Sequence, residues 1–172
     1  AELRSRSQRV SAMLRNFGIG FGDRVATLAW NTQAHVECWY AIMGMGAVCH
    51  TLNPRLTPAQ LAAMLAQSAC RVMIVSADLA PLAQQIIERT STVTRVVIID
   101  GPLDAWRGER YGPSVVTLEN EIATHADPVE WGHFDERSAC GLCFTSGTTG
   151  APKGVTYTHR SSFLHTLRLL QA

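Results

Sequence analysis

Apolar positions along this chain follow two patterns, one with the period of a helix and one that is continuous. Leu3, Val10, Leu14 and Phe17 share one helical face, and Phe17-Gly18 closes that helix, because glycine accepts the left-handed cap. Val36, Trp39, Tyr40 and Met43 follow the i, i+3, i+4, i+7 rule, predicting a helix over 33–44 with those four residues in the core. Thr57-Pro58-Ala59-Gln60 reads as a helix start: Thr57 caps, Pro58 fits the first turn, and Gln60 completes a capping box. Leu61, Met64 and Leu65 give that helix its apolar face, and Leu79, Leu82, Ala83 and Ile86 repeat the spacing further on.

The second pattern is the runs Val72-Met73-Ile74-Val75 and Val96-Val97-Ile98-Ile99. Strict alternation would leave one face of a strand wet; an unbroken run predicts both faces covered, as in a parallel sheet. Arg24–Trp30 and Ala47–Leu52 read as further strands between the helices. The alternation predicts an α/β fold, a mostly parallel sheet with helices on both faces, over residues 1–100. Residues 101–137 break the rhythm with glycine and proline and read as an irregular connection, with a short strand at Ser114–Thr117 and a helical turn at Leu118–Ala123. Over 138–172 the order is strand (Ser138–Phe144), loop, strand (Gly154–Thr158) and a helix capped by Thr158, with Phe163, Leu167 and Leu170 on its apolar face.

Composition narrows the function classes. Of the 172 residues 47% are hydrophobic and only 17% charged. That is below the usual charged share of about 25%, and suggests apolar surface normally covered by another part of a protein. A net charge of +1 argues against a nucleic-acid binder held by phosphate neutralisation. The uncharged stretch Cys38–Cys49 is too short for a transmembrane segment, and no apolar stretch follows Arg4, Arg6 and Arg9 as in a signal peptide, so these arginines read as a solvated helix face. Five cysteines, an odd number, do not form a secreted disulfide framework, and the cytoplasmic compartment is expected. The chain opens on Ala1 and stops at Ala172 inside helical pattern, so a piece of a larger protein is expected.

The chemistry concentrates in Phe144-Thr145-Ser146-Gly147-Thr148-Thr149-Gly150-Ala151-Pro152-Lys153-Gly154-Val155. Glycines allow positive φ and close approach of the backbone to a ligand. Successive backbone N–H groups form an anion-binding concavity, and hydroxyls add short, rotatable donors. Lys153, the only lysine in the chain, adds a point charge on a flexible stem. The combination describes a polyphosphate grip. It is not the common P-loop, whose Gly-Lys-Ser/Thr opens a helix; here Lys153 precedes Gly154 and a strand. A dinucleotide-binding glycine fingerprint is missing too.

This segment resembles the signature of the adenylate-forming (acyl-CoA synthetase, AMP-binding) superfamily. Gly22-Asp23-Arg24-Val25-Ala26, Trp30-Asn31, Gly46-Ala47-Val48 and His50-Thr51-Leu52-Asn53-Pro54-Arg55-Leu56 are similar to the N-terminal region of medium- and long-chain fatty-acid–CoA ligases and of methylthiopropionate–CoA ligases. The resemblance spans the chain but covers about the first third of a family member. It implies ATP-dependent activation of a small-molecule carboxylic acid, most plainly a fatty acid, to an acyl-adenylate, followed by transfer to CoA. ATP, Mg²⁺ and CoA are the implied co-substrates. Thr145, Ser146, Gly147, Thr148, Thr149, Gly150 and Lys153 are the implied phosphate contacts. Catalytic residues, the Mg²⁺-binding glutamate, the adenine contacts, most of the acyl pocket and the CoA tunnel are expected beyond Ala172, in a C-terminal part missing from this chain, and no metal ligand is assigned here. A chain lacking those parts is expected to be inactive alone.

Two other classes compete. A self-sufficient, non-catalytic nucleotide- or phosphate-binding module would use the same loop. A zinc or redox module would use Cys140-Gly141-Leu142-Cys143, with His125 and His133 as partners; strand geometry argues against it, since residues three apart point to opposite faces. His159 is expected to bond nearby backbone at a helix start. His35, His50 and His165 have no spacing that suggests ligation and are expected in surface or core roles.

Overall fold

A computed structural model describes residues 2–107, 112–124, 129–145 and 152–171. Six α-helices appear among these residues: α1 (Glu2–Asn16), α2 (Gln33–Gly44), α3 (Pro58–Ser68), α4 (Ala80–Ile87), α5 (Leu118–Thr124) and α6 (His159–Leu170). The strands are β1 (Arg24–Leu28), β2 (Val48–Thr51), β3 (Val72–Ser76), β4 (Arg95–Ile99), β5 (Ser114–Thr117), β6 (Ala139–Thr145) and β7 (Lys153–Thr158). They form one sheet in the order β5-β4-β3-β1-β2-β6-β7. Every neighbouring pair is parallel except β6–β7, which is an antiparallel hairpin.

The continuous apolar runs are buried on both faces, as their sequence requires: β3 is buried throughout and β4 from Val96 on. On one face, Val25, Cys49, Ile74, Val97 and Ile99 meet Val10, Leu14, Cys38, Ala41, Ile42 and Ile122 from α1, α2 and α5. On the other, Ala26, Met73, Val75, Val96 and Ile98 meet Leu61, Leu65, Ala83 and Ile86 from α3 and α4. The Thr57–Gln60 capping box forms in both directions, and Thr158 caps α6 through Ser161. Gly18 takes φ +77° just past α1, the conformation expected of it.

Three expectations are corrected. The strand begun at Arg24 ends at Leu28, so Trp30 lies beyond it. In α2 the apolar stripe is not the core except at Met43, which packs against it: Val36, Trp39 and Tyr40 are 39%, 41% and 45% exposed, while Glu37, Cys38, Ala41 and Ile42 are buried. Small side chains let α2 approach the sheet closely, and an ion pair lets Glu37 face inward. Arg6 is that partner, not part of a solvated face; its Nε donates to both Glu37 carboxylate oxygens at 2.9 Å. The apolar face expected of α6 forms and is uncovered among the described residues, with Phe163 63%, Leu167 39% and Leu170 79% exposed, in keeping with the apolar surface that the low charge suggests.

The irregular connection does more than span a gap. Trp131 Nε1 donates to Ser11 Oγ at 2.9 Å, and Gly132 N donates to Gly44 O at 3.3 Å, so this segment laces α1 to α2. Gly44 lies under the Trp131 ring, where an added Cβ would come within 2.4 Å. The strap delivers the chain to β6, and so to the loop that carries the chemistry.

Candidate active site

Strands β1, β2 and β6 are parallel, so their carboxyl ends lie along one edge of the sheet, the edge where open α/β sheets bind ligands. Thr145 ends β6 there, and the β6–β7 hairpin pairs it with Lys153. Its hydroxyl donates to the Lys153 carbonyl at 3.4 Å. Of the implied phosphate contacts, the structure brings Thr145 and Lys153 together at the mouth of this hairpin, both exposed. Ser146, Gly147, Thr148, Thr149 and Gly150 lie outside the described residues. Gly154 packs closely under its neighbours: a Cβ there would stand 3.1 Å from Leu142 Cδ1, so that side chain would have to shift slightly.

Phe144, just before Thr145, rests on the fully buried His50 of β2, with ring centroids 5.1 Å apart. Ser68 Oγ donates to Leu65 O at 3.2 Å, and His50 Nδ1 lies 3.0 Å from the same Ser68 oxygen. The Cys70 thiol lies 3.2 Å from the same serine oxygen, so Nδ1 sits in a small polar cluster of Ser68 and Cys70. The His50 Nε2 is buried with no hydrogen-bond partner among the described residues. Burial pushes the His50 pKa down to about 4. A histidine held below its unfolded value of about 6.5 leaves the folded state with fewer protons than the unfolded one in that interval. Its contribution to stability is therefore complete above pH 6.5 and is lost as pH falls toward 4. Urea unfolding midpoints are expected to drop over that window in the wild type and to drop less in His50→Gln; parallel profiles would refute the assignment.

His35, His159, Cys140 and Cys143 make contacts within the fold, while His133 and His165 are exposed. His35 Nδ1 donates to Trp30 O at 2.9 Å, and its Nε2 lies 3.1 Å from Thr27 Oγ1, so both nitrogens are engaged; burial lowers its pKa. His159 departs from expectation. Its main-chain N–H donates to Ser138 O at 3.1 Å, but its ring stacks on Phe134 at 4.8 Å and leaves Nε2 buried with no partner among the described residues. Cys140 Sγ lies 3.4 Å from Ser162 Oγ on α6, whereas Cys143 Sγ lies 3.5 Å from Thr51 Oγ1 on β2. The two thiols thus face different elements. Among the described residues no three His, Cys, Asp or Glu side chains gather as a metal site would require. His125, one of the proposed zinc partners, lies outside the described residues.

At this edge of the sheet a hollow of about 250 Å³ is lined by Thr51, Leu52, Leu56, Met64, Cys143 and Phe144 at the ends of β2 and β6, and two others open along the edge. One of about 450 Å³ lies at the ends of β4 and β5, lined by Asp100, Leu103, Glu119 and Asn120 among others, far across the sheet from β6. Its Asp100 already accepts from Thr32 at 2.8 Å and from Ser76 at 3.3 Å. The other, of about 330 Å³, is lined by Asn31, His35, Val36, Trp39 and Thr51, at the end of β2 beside β6. Sequence reasoning missed it, because an apolar stripe at helical spacing reads identically whether it faces a core or a hollow.

The chain is similar to known proteins over nearly its whole length. The family of AMP-binding enzymes matches residues 1–171. A long-chain-fatty-acid–CoA ligase of Thermus thermophilus is 41% identical over 167 residues, which is 97% of this chain and 29% of that protein. A 3-methylmercaptopropionyl-CoA ligase of Ruegeria pomeroyi is 40% identical over 165 residues, 96% of this chain and 30% of that protein. Among solved structures, a benzoate CoA ligase from Burkholderia xenovorans superposes with a TM-score of 0.76 at 21% identity, covering 95% of this chain and 29% of that one, a likeness of fold. The chain thus spans about 30% of the length of the curated relatives it matches.

Proposed function

This chain belongs to the AMP-binding enzyme family, and from that membership we propose that the full-length protein activates a carboxylic acid with ATP and passes the acyl group to CoA. The observation that carries the reading is the hairpin of β6 and β7. It sets Thr145 and Lys153 side by side at the carboxyl edge of the sheet, at either end of the glycine- and hydroxyl-rich segment. In acyl-adenylate formation the leaving pyrophosphate gains negative charge, which preorganised donors and a lysine stabilise. Ser146, Gly147, Thr148, Thr149 and Gly150 would add backbone N–H groups and hydroxyls to that grip. Mg²⁺ would enter with the ATP phosphates and share the charge.

A fatty acid is the substrate class we favour, because the relatives of highest identity named above act on long-chain fatty acids and 3-methylmercaptopropionate, both acids with apolar tails. In this division of labour the chain is the N-terminal part of the enzyme's large domain. The remaining protein supplies the adenine contacts, the catalytic residues and most of the CoA site. All five cysteines are free thiols, the state a reducing cytoplasm maintains, and we place the protein there. No helix among the described residues is long and apolar enough to cross a membrane.

The test is pyrophosphate release by the full-length protein with ATP and Mg²⁺, with and without a fatty acid, followed by acyl-CoA formation when CoA is added. Acid-dependent release, and AMP formation stoichiometric with acyl-CoA, are expected. ATP binding with no acid-dependent release would instead favour a nucleotide-binding module without catalysis.

A further inference from the structure

We propose that His50 is a positioning residue for the phosphate segment: its ring, held by Ser68, seats Phe144 and so fixes where Thr145 and Lys153 leave the sheet. The inference rests on the ligase reading above. Among the described residues β6 pairs with β2 at two positions, Gly141 with Cys49 and Leu142 with His50. The last three residues of β6, Cys143, Phe144 and Thr145, run past that ladder and pair with β7 instead. Lys153 to Tyr157 of β7 are all exposed, so β7 gives the hairpin no anchor in the core. Side chains of β6 must supply one. Cys143 offers a thiol 3.5 Å from Thr51 Oγ1, and Phe144 offers a whole ring. That ring packs into the cluster under α3 and α4 and lies on His50, with centroids 5.1 Å apart and planes at 43°. Phe144 directly precedes Thr145 and faces Gly154, the neighbour of Lys153, across the hairpin. A tilt of this one ring therefore moves both ends of the phosphate segment together.

A histidine is a costly choice for that seat. His50 is fully buried, and its Nε2 has no hydrogen-bond partner among the described residues. An aliphatic side chain would fill the place without burying a polar atom. The imidazole adds a flat ring whose orientation is set from one edge. Ser68, the last residue of α3, lies 3.0 Å from Nδ1, and its main-chain carbonyl accepts from Arg24 Nε at 2.7 Å. The ring is thus tied to the end of α3 and, through Arg24, to the start of β1, while its face is left for Phe144. A sequence that breaks a burial rule of this kind does so most often where function requires it.

The experiment measures pyrophosphate release by the full-length protein with ATP, Mg²⁺ and hexanoate or palmitate, whichever the wild type turns over faster. His50→Leu, Phe144→Leu and the double variant are compared, with turnover expressed per folded molecule as read by circular dichroism. His50→Leu removes the ring and its orphaned nitrogen together, and is expected to lower kcat by about tenfold, within the cost of misplacing a reacting group by about 1 Å. KM for the acid should stay at the wild-type value, since His50 lines none of the three hollows at the sheet edge. Phe144→Leu is expected to match that loss, and the double variant to lose no more than Phe144→Leu alone, because His50 acts through Phe144. Losses that multiply in the double variant, a wild-type kcat in His50→Leu, or a raised KM for the acid with kcat unchanged would overturn the positioning role and leave the ligase reading standing. Should His50→Leu not fold, Phe144→Leu decides: a wild-type kcat overturns the proposal, and a loss of about tenfold supports it. A wild type that releases no pyrophosphate with either acid would overturn the ligase reading, and the positioning role with it.

Discussion

Alanine in place of Lys153 is expected to lower acid-dependent pyrophosphate release by the full-length protein by about 10²–10³-fold, the scale of losing one preorganised donor to a developing oxyanion. Lys153 is the first residue of β7, paired across the hairpin with Thr145, so strand geometry fixes the root of its side chain while the ammonium is left exposed. Its ammonium makes no hydrogen bond or ion pair within the described residues that alanine would break, and the fold is expected to survive unchanged in circular dichroism and in urea. The loss should fall on kcat, with KM for the acid unaltered, because the charge it meets develops on pyrophosphate in the transition state. Lys153→Arg keeps the charge but not the compact ammonium, and is expected to recover only part of the rate. A Lys153→Ala protein that retains wild-type turnover would remove this residue from the phosphate grip and leave the loop's role to its glycines and hydroxyls.

The segment that prompts this experiment was readable because its requirements are local. A run of glycines and hydroxyls closed by Pro-Lys-Gly carries its chemistry in sequence neighbours, and its placement between two strands follows from the patterns on either side. The capping box at Thr57 and the cap at Thr158 were legible for the same reason, as were the buried strands: an unbroken apolar run admits few other environments. What escaped depends on partners distant in sequence. Helical spacing placed Trp39 and Tyr40 on one face of α2 but could not say that the sheet would take the opposite, smaller face, because that choice is made by Cys38 and Ala41 fitting close to β2 and by Arg6 arriving from another helix. His50 gave no spacing signal, since its bond to Ser68 and its contact with Phe144 join three separate elements. The hollow beside Trp39 is the consequence of the first of these misreadings.

Arg6 and Glu37 show how strongly such a distant pairing can hold the fold. Glu37 is fully buried, and its carboxylate accepts two bonds from Arg6 Nε at 2.9 Å and one from Gln33 Nε2 at 2.9 Å. The far edge of the guanidinium donates to Glu119 of α5 at 2.6 Å, so one arginine ties α1 to both α2 and α5. Hydrogen bonding to Glu119, and to Glu37, raises the Arg6 pKa against the cost of its partial burial, and the group is charged at every pH at which the protein folds. Arg6→Ala would strand the Glu37 carboxylate in an apolar interior with only Gln33 for company. We expect a loss of ~3 kcal/mol, the lower end of the range for breaking a buried pair, because the Arg6 side chain keeps 21% of its exposure. Glu119→Ala, which removes a carboxylate that is 67% exposed, should cost less than about 1 kcal/mol. Replacing both buried partners, Arg6→Met with Glu37→Leu, should restore most of the loss, since the penalty lies in the unpaired charge and not in the missing attraction. Urea midpoints of the three variants decide it: an Arg6→Ala midpoint no lower than that of Glu119→Ala would mean that Glu37 is solvated or protonated in the folded chain, and that α2 is held in its unexpected orientation by the packing of Cys38 and Ala41 alone.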